Sequence, residues 1–171
     1  MEHRNRFLTA EWLAPFVPAG TELDSFEGAT YLSLVGFEFN KTRILGLKVP
    51  LHQGIEEVNL RFYVKRFTRR GVVFVKELVP KRAVAAVTRL AFGENYAYVP
   101  MSHRIERTAD DGVAAVEYSW GSSADRCSAR IETEGEDLVP PEGSVSQFIT
   151  EHYWGYAAQR IGCLEYEVQH P

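Results

Sequence analysis

The stretch EEVNLRFYVKRFTRRGVVFVKELV, Glu56 to Val79, decides the fold. Its two arms, EEVNLRFYVKR and GVVFVKELV, are rich in β-branched and aromatic residues and read as strands. The basic turn RFTRRG between them makes an antiparallel hairpin. Asn59 and Arg61 alternate on the first strand and so share a face. Two placements of that face stay open. If it is interior, Asn59 and Arg61 are convergent polar groups, and the planar guanidinium can hold a ligand carboxylate. If it is the solvent face of a half-buried strand, Leu60 and Phe62 point inward instead. Lys65, Arg66, Arg69 and Arg70 cluster at the turn, where a solvated tip accounts for them better than a phosphate site does.

Beyond the hairpin, PKRAVAAVTRLA switches period. Ala83, Val84, Val87, Leu90 and Ala91 fall at the three-and-four spacing of one helix face, and Pro80 suits the first turn. Lys81 and Arg82 then sit at the positive end of the helix, where carboxylates are favoured and cations are penalised. If both are buried, desolvation, the helix start and the Arg82 charge would all depress the Lys81 pKa toward a free amine nucleophile. If both snorkel into solvent, they mark only a strand-to-helix turn.

Outward from this centre, Tyr31 to Phe39 reads as a strand, as do HRIER, GVAAVEYSW, CSARIETEG and the final GCLEYEVQHP. SVSQFITEHYWGYAAQ is expected to be a second helix, capped by Ser144, with Phe148 and Tyr156 on one face. Its aromatics Phe148, Tyr153, Trp154 and Tyr156 lie near Glu151 and His152 and either wall a pocket or fill a core. Many strands with one or two short helices give a mostly β (α+β) domain of barrel or sandwich type.

Composition narrows the function classes. At 171 residues, 45% apolar and 25% charged, the chain fits one globular domain with a sizeable core. A formal charge of −4 gives no general attraction to nucleic acid or anionic membrane. No apolar run approaches the ~20 residues of a membrane helix, and MEHRNRFLTAEW lacks the apolar core of a signal peptide, so a cytoplasmic location is expected. Cys127 and Cys163 are expected to be reduced. The histidines His3, His52, His103, His152 and His170 lack ligand spacing. With no phosphate loop, nucleophile elbow or H-E-x-x-H, no metal or cofactor is indicated.

Four blocks carry a resemblance: EEVNLRFYV (Glu56–Val64), GVVFVKELVPKRAVAAVTRL (Gly71–Leu90), NYAYVPMSHRIE (Asn95–Glu106) and FITEHYWGY (Phe148–Tyr156). Together they resemble the YqjF-like family of uncharacterised proteins, grouped by fold with acetoacetate decarboxylase. The resemblance implies an antiparallel β-barrel or cone with one or two short helices and a pocket inside. It also implies a single domain over residues 1–171, shortened relative to the family, whose exposed strand edges favour a homo-oligomer. Pro80-Lys81-Arg82 is similar to the Pro-Lys-Lys segment of the decarboxylase, in which a lysine activated by a neighbouring cation forms a Schiff base; that enzyme is a standard example of such activation. By resemblance, Lys81 would be the nucleophile and Arg82 the cation beside it.

The expected function is therefore binding of a small organic molecule, carbonyl- or carboxylate-containing, in an interior pocket lined by Asn59, Arg61, Glu77, Glu151 and Tyr153. The alternative is a lyase, a decarboxylase or a related enzyme, acting through a Lys81 Schiff base with Arg82.

Overall fold

The computed structural model describes residues 10–39, 43–44, 47–48, 54–135 and 139–167. A short helix α1 (Ala10–Leu13) and a 3-10 turn (Ala14–Phe16) lead into β1 (Glu22–Leu23), β2 (Leu32–Phe39), β3 (Arg43–Ile44) and β4 (Leu47–Lys48). The hairpin follows as β5 (Ile55–Arg66) and β6 (Arg69–Val79), then α2 (Arg82–Phe92), β7 (Tyr96–Tyr98), β8 (Met101–Arg107), β9 (Val113–Trp120) and β10 (Cys127–Glu132). The described chain closes with α3 (Val145–Thr150), β11 (Trp154–Ala158) and β12 (Cys163–Glu167).

The strands form a seven-stranded sheet ordered β1-β5-β6-β11-β12, with β2 also on β5 and β7 also on β6. A three-stranded sheet β10-β9-β8 and the small β3-β4 pair complete the described strands. The protein is thus mostly β with few short helices. Among the described residues none of the sheets closes on itself, so the coarser description stands where a barrel or cone was expected.

The hairpin is the centre of the large sheet, and both of its faces are covered. Phe62, Tyr63 and Val64 are consecutive on β5 and all but fully buried. Phe62 and Val64 pack with Leu13, Val73 and Tyr156 on one face. Tyr63 packs with Val72 and Phe148 on the other, where the Tyr63 and Phe148 rings meet edge-on at 5.2 Å. A strand buried on both faces has no solvent side, which removes the half-buried alternative for β5.

A bulge between Leu60 and Arg61 shifts the register: Leu60 opposes Lys76, while Arg61 opposes Phe74. The extra residue is Val75 on β6, and such bulges re-aim side chains near functional sites.

Two helix expectations need correction. α2 does form where the period changes, but Val87 is 56% exposed while Ala85 is buried, packed with Val79 and Tyr96. The second helix stops at Thr150, and Tyr156 lies on β11. Ser144 caps it as expected, its Oγ accepting from the Gln147 amide at 3.2 Å. Cys127 and Cys163 are free.

The three-stranded sheet rests on the large one where Tyr118 covers Gly36. A Cβ at Gly36 would lie 2.8 Å from the Tyr118 ring, so only glycine permits this approach. His103 Nδ1 pairs with Glu56 Oε1 at 3.1 Å across the same junction.

Candidate functional site

Period-two alternation puts Glu57, Asn59, Arg61 and Tyr63 of β5 on one face, the face that α3 covers. Register brings Glu77 of β6 opposite Asn59, and Tyr96 of β7 opposite Glu77. Glu57, Asn59 and Glu77 are each no more than 2% exposed. Asn59 Nδ2 donates to Glu57 Oε1 at 3.0 Å, and Tyr96 Oη donates to Glu57 Oε2 at 3.0 Å. Glu94, half-buried in the turn before β7, adds a third carboxyl and accepts from Tyr166 Oη of β12.

Electrostatics follow from burial. Desolvation pushes the Glu57 carboxyl up to about 7, against the lowering effect of its Asn59 and Tyr96 hydrogen bonds. Glu77 is pushed up to about 11, first by burial and then by the charges of Glu94 and Glu57. Burial raises Glu94 as well, while Tyr166 and Glu77, hydrogen-bonded to it, favour its ionised form. At neutral pH Glu77 therefore holds a proton and donates it toward Glu94. Tyr96 and Tyr166 are held far above the ordinary phenol range by burial and by the same carboxyls.

The other end of this face is cationic. Arg61 Nη2 donates to the Ile149 carbonyl at 3.4 Å, and Arg70 Nε donates to Asp24 Oδ2 at 2.6 Å with its guanidinium 4.4 Å over the Phe148 ring. His152 lies 4.6 Å from the Tyr63 ring, 2% exposed. Burial first, then the Arg70 and Arg61 charges, lower it to about 4 against the pull of Asp24, so it stays neutral. A cavity of about 300 Å³ adjoins this end, lined by residues that include Asp24, Arg70, Gln147 and Phe148.

Several buried polar atoms along the face have no hydrogen-bond partner among the described residues: Asn59 Oδ1, Glu77 Oε2, Arg61 Nε and both His152 ring nitrogens. Orphaned buried groups are uncommon, because each one costs about 1–3 kcal/mol.

The residues singled out in sequence are distributed as follows. Asn59, Arg61 and Glu77 come together on the interior face. Lys81 is half-buried at the N-cap of α2, four residues beyond Glu77, and makes no side-chain cap. Arg82 is exposed, its guanidinium 4.8 Å over the Tyr98 ring. Glu151 and Tyr153 stand at the surface, Tyr153 at 55% exposure, and the buried residue of that trio is His152. Sequence reasoning did not single out Glu57, Glu94, Tyr96 or Tyr166; it named His152 among the aromatics and read Arg70 as part of a solvated turn. Of the four, only Glu57 carries a local signal, an acid two residues before Asn59 on the same strand face. No group of three or more His, Cys, Asp or Glu among the described residues is arranged to hold a metal ion. Among the described residues no helix is long and apolar enough to cross a membrane.

A family model for DUF2071, uncharacterized conserved protein, matches residues 7–171. The chain belongs to that family. No curated protein matches it. Among solved structures it is similar to the enduracididine biosynthesis enzyme MppR complexed with pyruvate, with a TM-score of 0.61 and 9% identity over 92% of this chain and 63% of that one. It is also similar to an acetoacetate decarboxylase-like enzyme from Sphingomonas wittichii RW1, with a TM-score of 0.56 and 11% identity over 91% of this chain and 65% of that one. At such identities the likeness shows the fold, which is acetoacetate-decarboxylase-like. The chain spans less than two thirds of the length of either structure.

Proposed function

We propose that this DUF2071 protein binds a small organic molecule bearing a carboxylate or carbonyl on the α3-covered face of the β5-β6 hairpin. The observation that carries this reading is Arg61 Nε, a buried donor at the cationic end of the face with no hydrogen-bond partner among the described residues. A ligand supplying the missing partner relieves a desolvation cost already present in the folded chain. Arg61 offers a planar fork to a carboxylate, and Glu57 exchanges its proton near neutral pH. The acid and cationic ends orient such a ligand along the strand.

A second reading, lyase chemistry through Lys81, is favoured by one placement: Lys81 is half-buried at the helix start, just beyond the strand that carries Glu77. The Lys81 amine would add to the ketone of a β-keto acid and expel water to form a protonated imine; this takes up the electron pair of the bond to the carboxylate as carbon dioxide leaves, and the resulting enamine is protonated and hydrolysed to release the ketone and the free amine. Arg82, turned over Tyr98, would assist through its charge rather than by contact.

The experiment is a thermal-shift titration with pyruvate and acetoacetate, followed by borohydride reduction and peptide mass spectrometry. Stabilisation that Arg61→Ala abolishes supports the binding reading. A reduced adduct on Lys81, absent in Lys81→Ala, supports the lyase. If neither compound stabilises the protein nor leaves an adduct, both readings fail.

A further inference from the structure

The three-stranded sheet ends on β10, and among the described residues no strand lies on its outer side. Every residue of β10 except Ala129 is exposed. A free edge offers its N–H and C=O groups to another strand. Which residues offer them follows from the pairing with β9. Cys127 to Glu132 oppose Trp120 to Ala115, and the next residue, Thr133, donates its amide to the Ala114 carbonyl at 3.0 Å. Backbone direction alternates along a strand, so the odd-numbered residues bond inward to β9. Ser128, Arg130 and Glu132 therefore turn their N–H and C=O groups outward.

The two faces of this sheet differ. Direct opposition lines up Ile105 of β8, Val116 of β9 and Ile131 of β10 in one apolar row. That row lies on the same face as Tyr118, yet Ile105 is 43% and Ile131 69% exposed. On the other face the row Arg104, Glu117, Arg130 alternates in sign toward the free edge. Arg130 donates to both carboxylate oxygens of Glu106 and to Glu132 of its own strand.

We propose that β10 is a dimer edge: it pairs antiparallel with β10 of a second copy of this chain, about a two-fold axis at Ile131, joining the two small sheets into one. About this axis Arg130 of each copy stands opposite Glu132 of the other. The polar row then continues across the join with its signs still alternating, Arg104, Glu117, Arg130 and Glu132 of the second copy. Both residues turn their backbone groups outward, so each such pair also exchanges main-chain hydrogen bonds. Ile131 meets its own counterpart in the closer, non-hydrogen-bonded position, with Cα atoms about 4.5 Å apart, and the two apolar rows join there. A two-fold contact requires this self-complementarity. Neighbouring axes lack it: through Arg130 or Glu132 they set like charges opposite each other, and through Ala129 they face Arg130 with Ser128. The contact is separate from the ligand face of the hairpin and does not rest on it.

The test is sedimentation of the full chain over a range of concentrations. The wild-type protein is expected to dimerise with a Kd of about 100 µM or tighter. Arg130→Glu and Glu132→Arg each place like charges across the join and should weaken self-association about tenfold or more. Mixed together, these two variants face Glu with Arg at both positions and should associate about as tightly as the wild type. Ile131→Lys disturbs no charge pair within the monomer and should also abolish the dimer; it decides the case if loss of the Arg130–Glu106 bridge unfolds the first variant. A wild-type chain still monomeric at about five times the expected Kd overturns the proposal and leaves the edge to a foreign strand. A dimer that survives these substitutions overturns it too, because another surface then holds the copies together. So does a mixture of the two folded charge variants that associates no better than either alone.

Discussion

Tyr96 and Glu57 stand on strands that are not neighbours, with β6 between them, yet Tyr96 Oη reaches Glu57 Oε2 at 3.0 Å. The contact ties β7 to β5 through side chains alone and supplies one of the two hydrogen bonds that favour the ionised form of Glu57. Tyr96→Phe should therefore raise Glu57 further above about 7. Leaving Glu57 Oε2 without its donor should cost about 1–3 kcal/mol. Denaturant unfolding at pH 5 and pH 8 checks both, the deficit being larger at pH 8, where Glu57 is required to ionise.

Glu77 makes stability fall with rising pH. Its folded value, about 11, lies above the 4.5 of an ordinary glutamate, so the native state holds a proton that the unfolded chain gives up. The stabilisation from this group is intact below pH 4.5 and is lost on the way to about 11. The local slope approaches about 1.4 kcal/mol per pH unit, softened by coupling to Glu94. Glu77→Gln mimics the neutral acid and should flatten this dependence. Unfolding curves for the two proteins that stay parallel from pH 5 to pH 9 would refute the assignment.

His152 acts in the reverse direction. Its folded value, about 4, lies below the ordinary 6.5, so the unfolded chain binds the extra proton, and stability from this group is lost as pH falls from 6.5 toward 4. Proton NMR of the imidazole ring should show no titration above pH 5 in the native protein. His152→Phe should remove that part of the acid sensitivity.

Gly155 carries Tyr166 to the acid cluster. A Cβ at position 155 would lie 2.3 Å from Tyr166 Cζ, so Gly155→Ala must displace the ring that donates to Glu94. Overpacking of this kind costs about 1–3 kcal/mol. The cost should shrink in the Tyr166→Ala background, which a double-mutant cycle measures.

How much of the site was legible depends on how far apart its parts lie along the chain. Strand alternation is local, so Asn59 and Arg61 read as sharing a face, and Glu57 obeys the same rule. Glu151 and Tyr153 were selected on the expectation that the helix continued past Thr150. The chain is not helical there, and His152 is the residue turned inward. Glu94 and Tyr166 lie in different elements, and no local pattern joins them before β12 pairs with β11 and brings Tyr166 over Gly155.

The sequence alone determined the hairpin, the helix after Pro80, the Ser144 cap and the strand-rich class, because hydrophobic period and turn chemistry act over a few residues. Only the tertiary structure decided that both faces of β5 are covered and that the carboxyls of Glu57, Glu77 and Glu94 come together. Those outcomes depend on which distant segments pack together. Desolvation, which sets the protonation of Glu57, Glu77 and His152, exists only after that packing has formed.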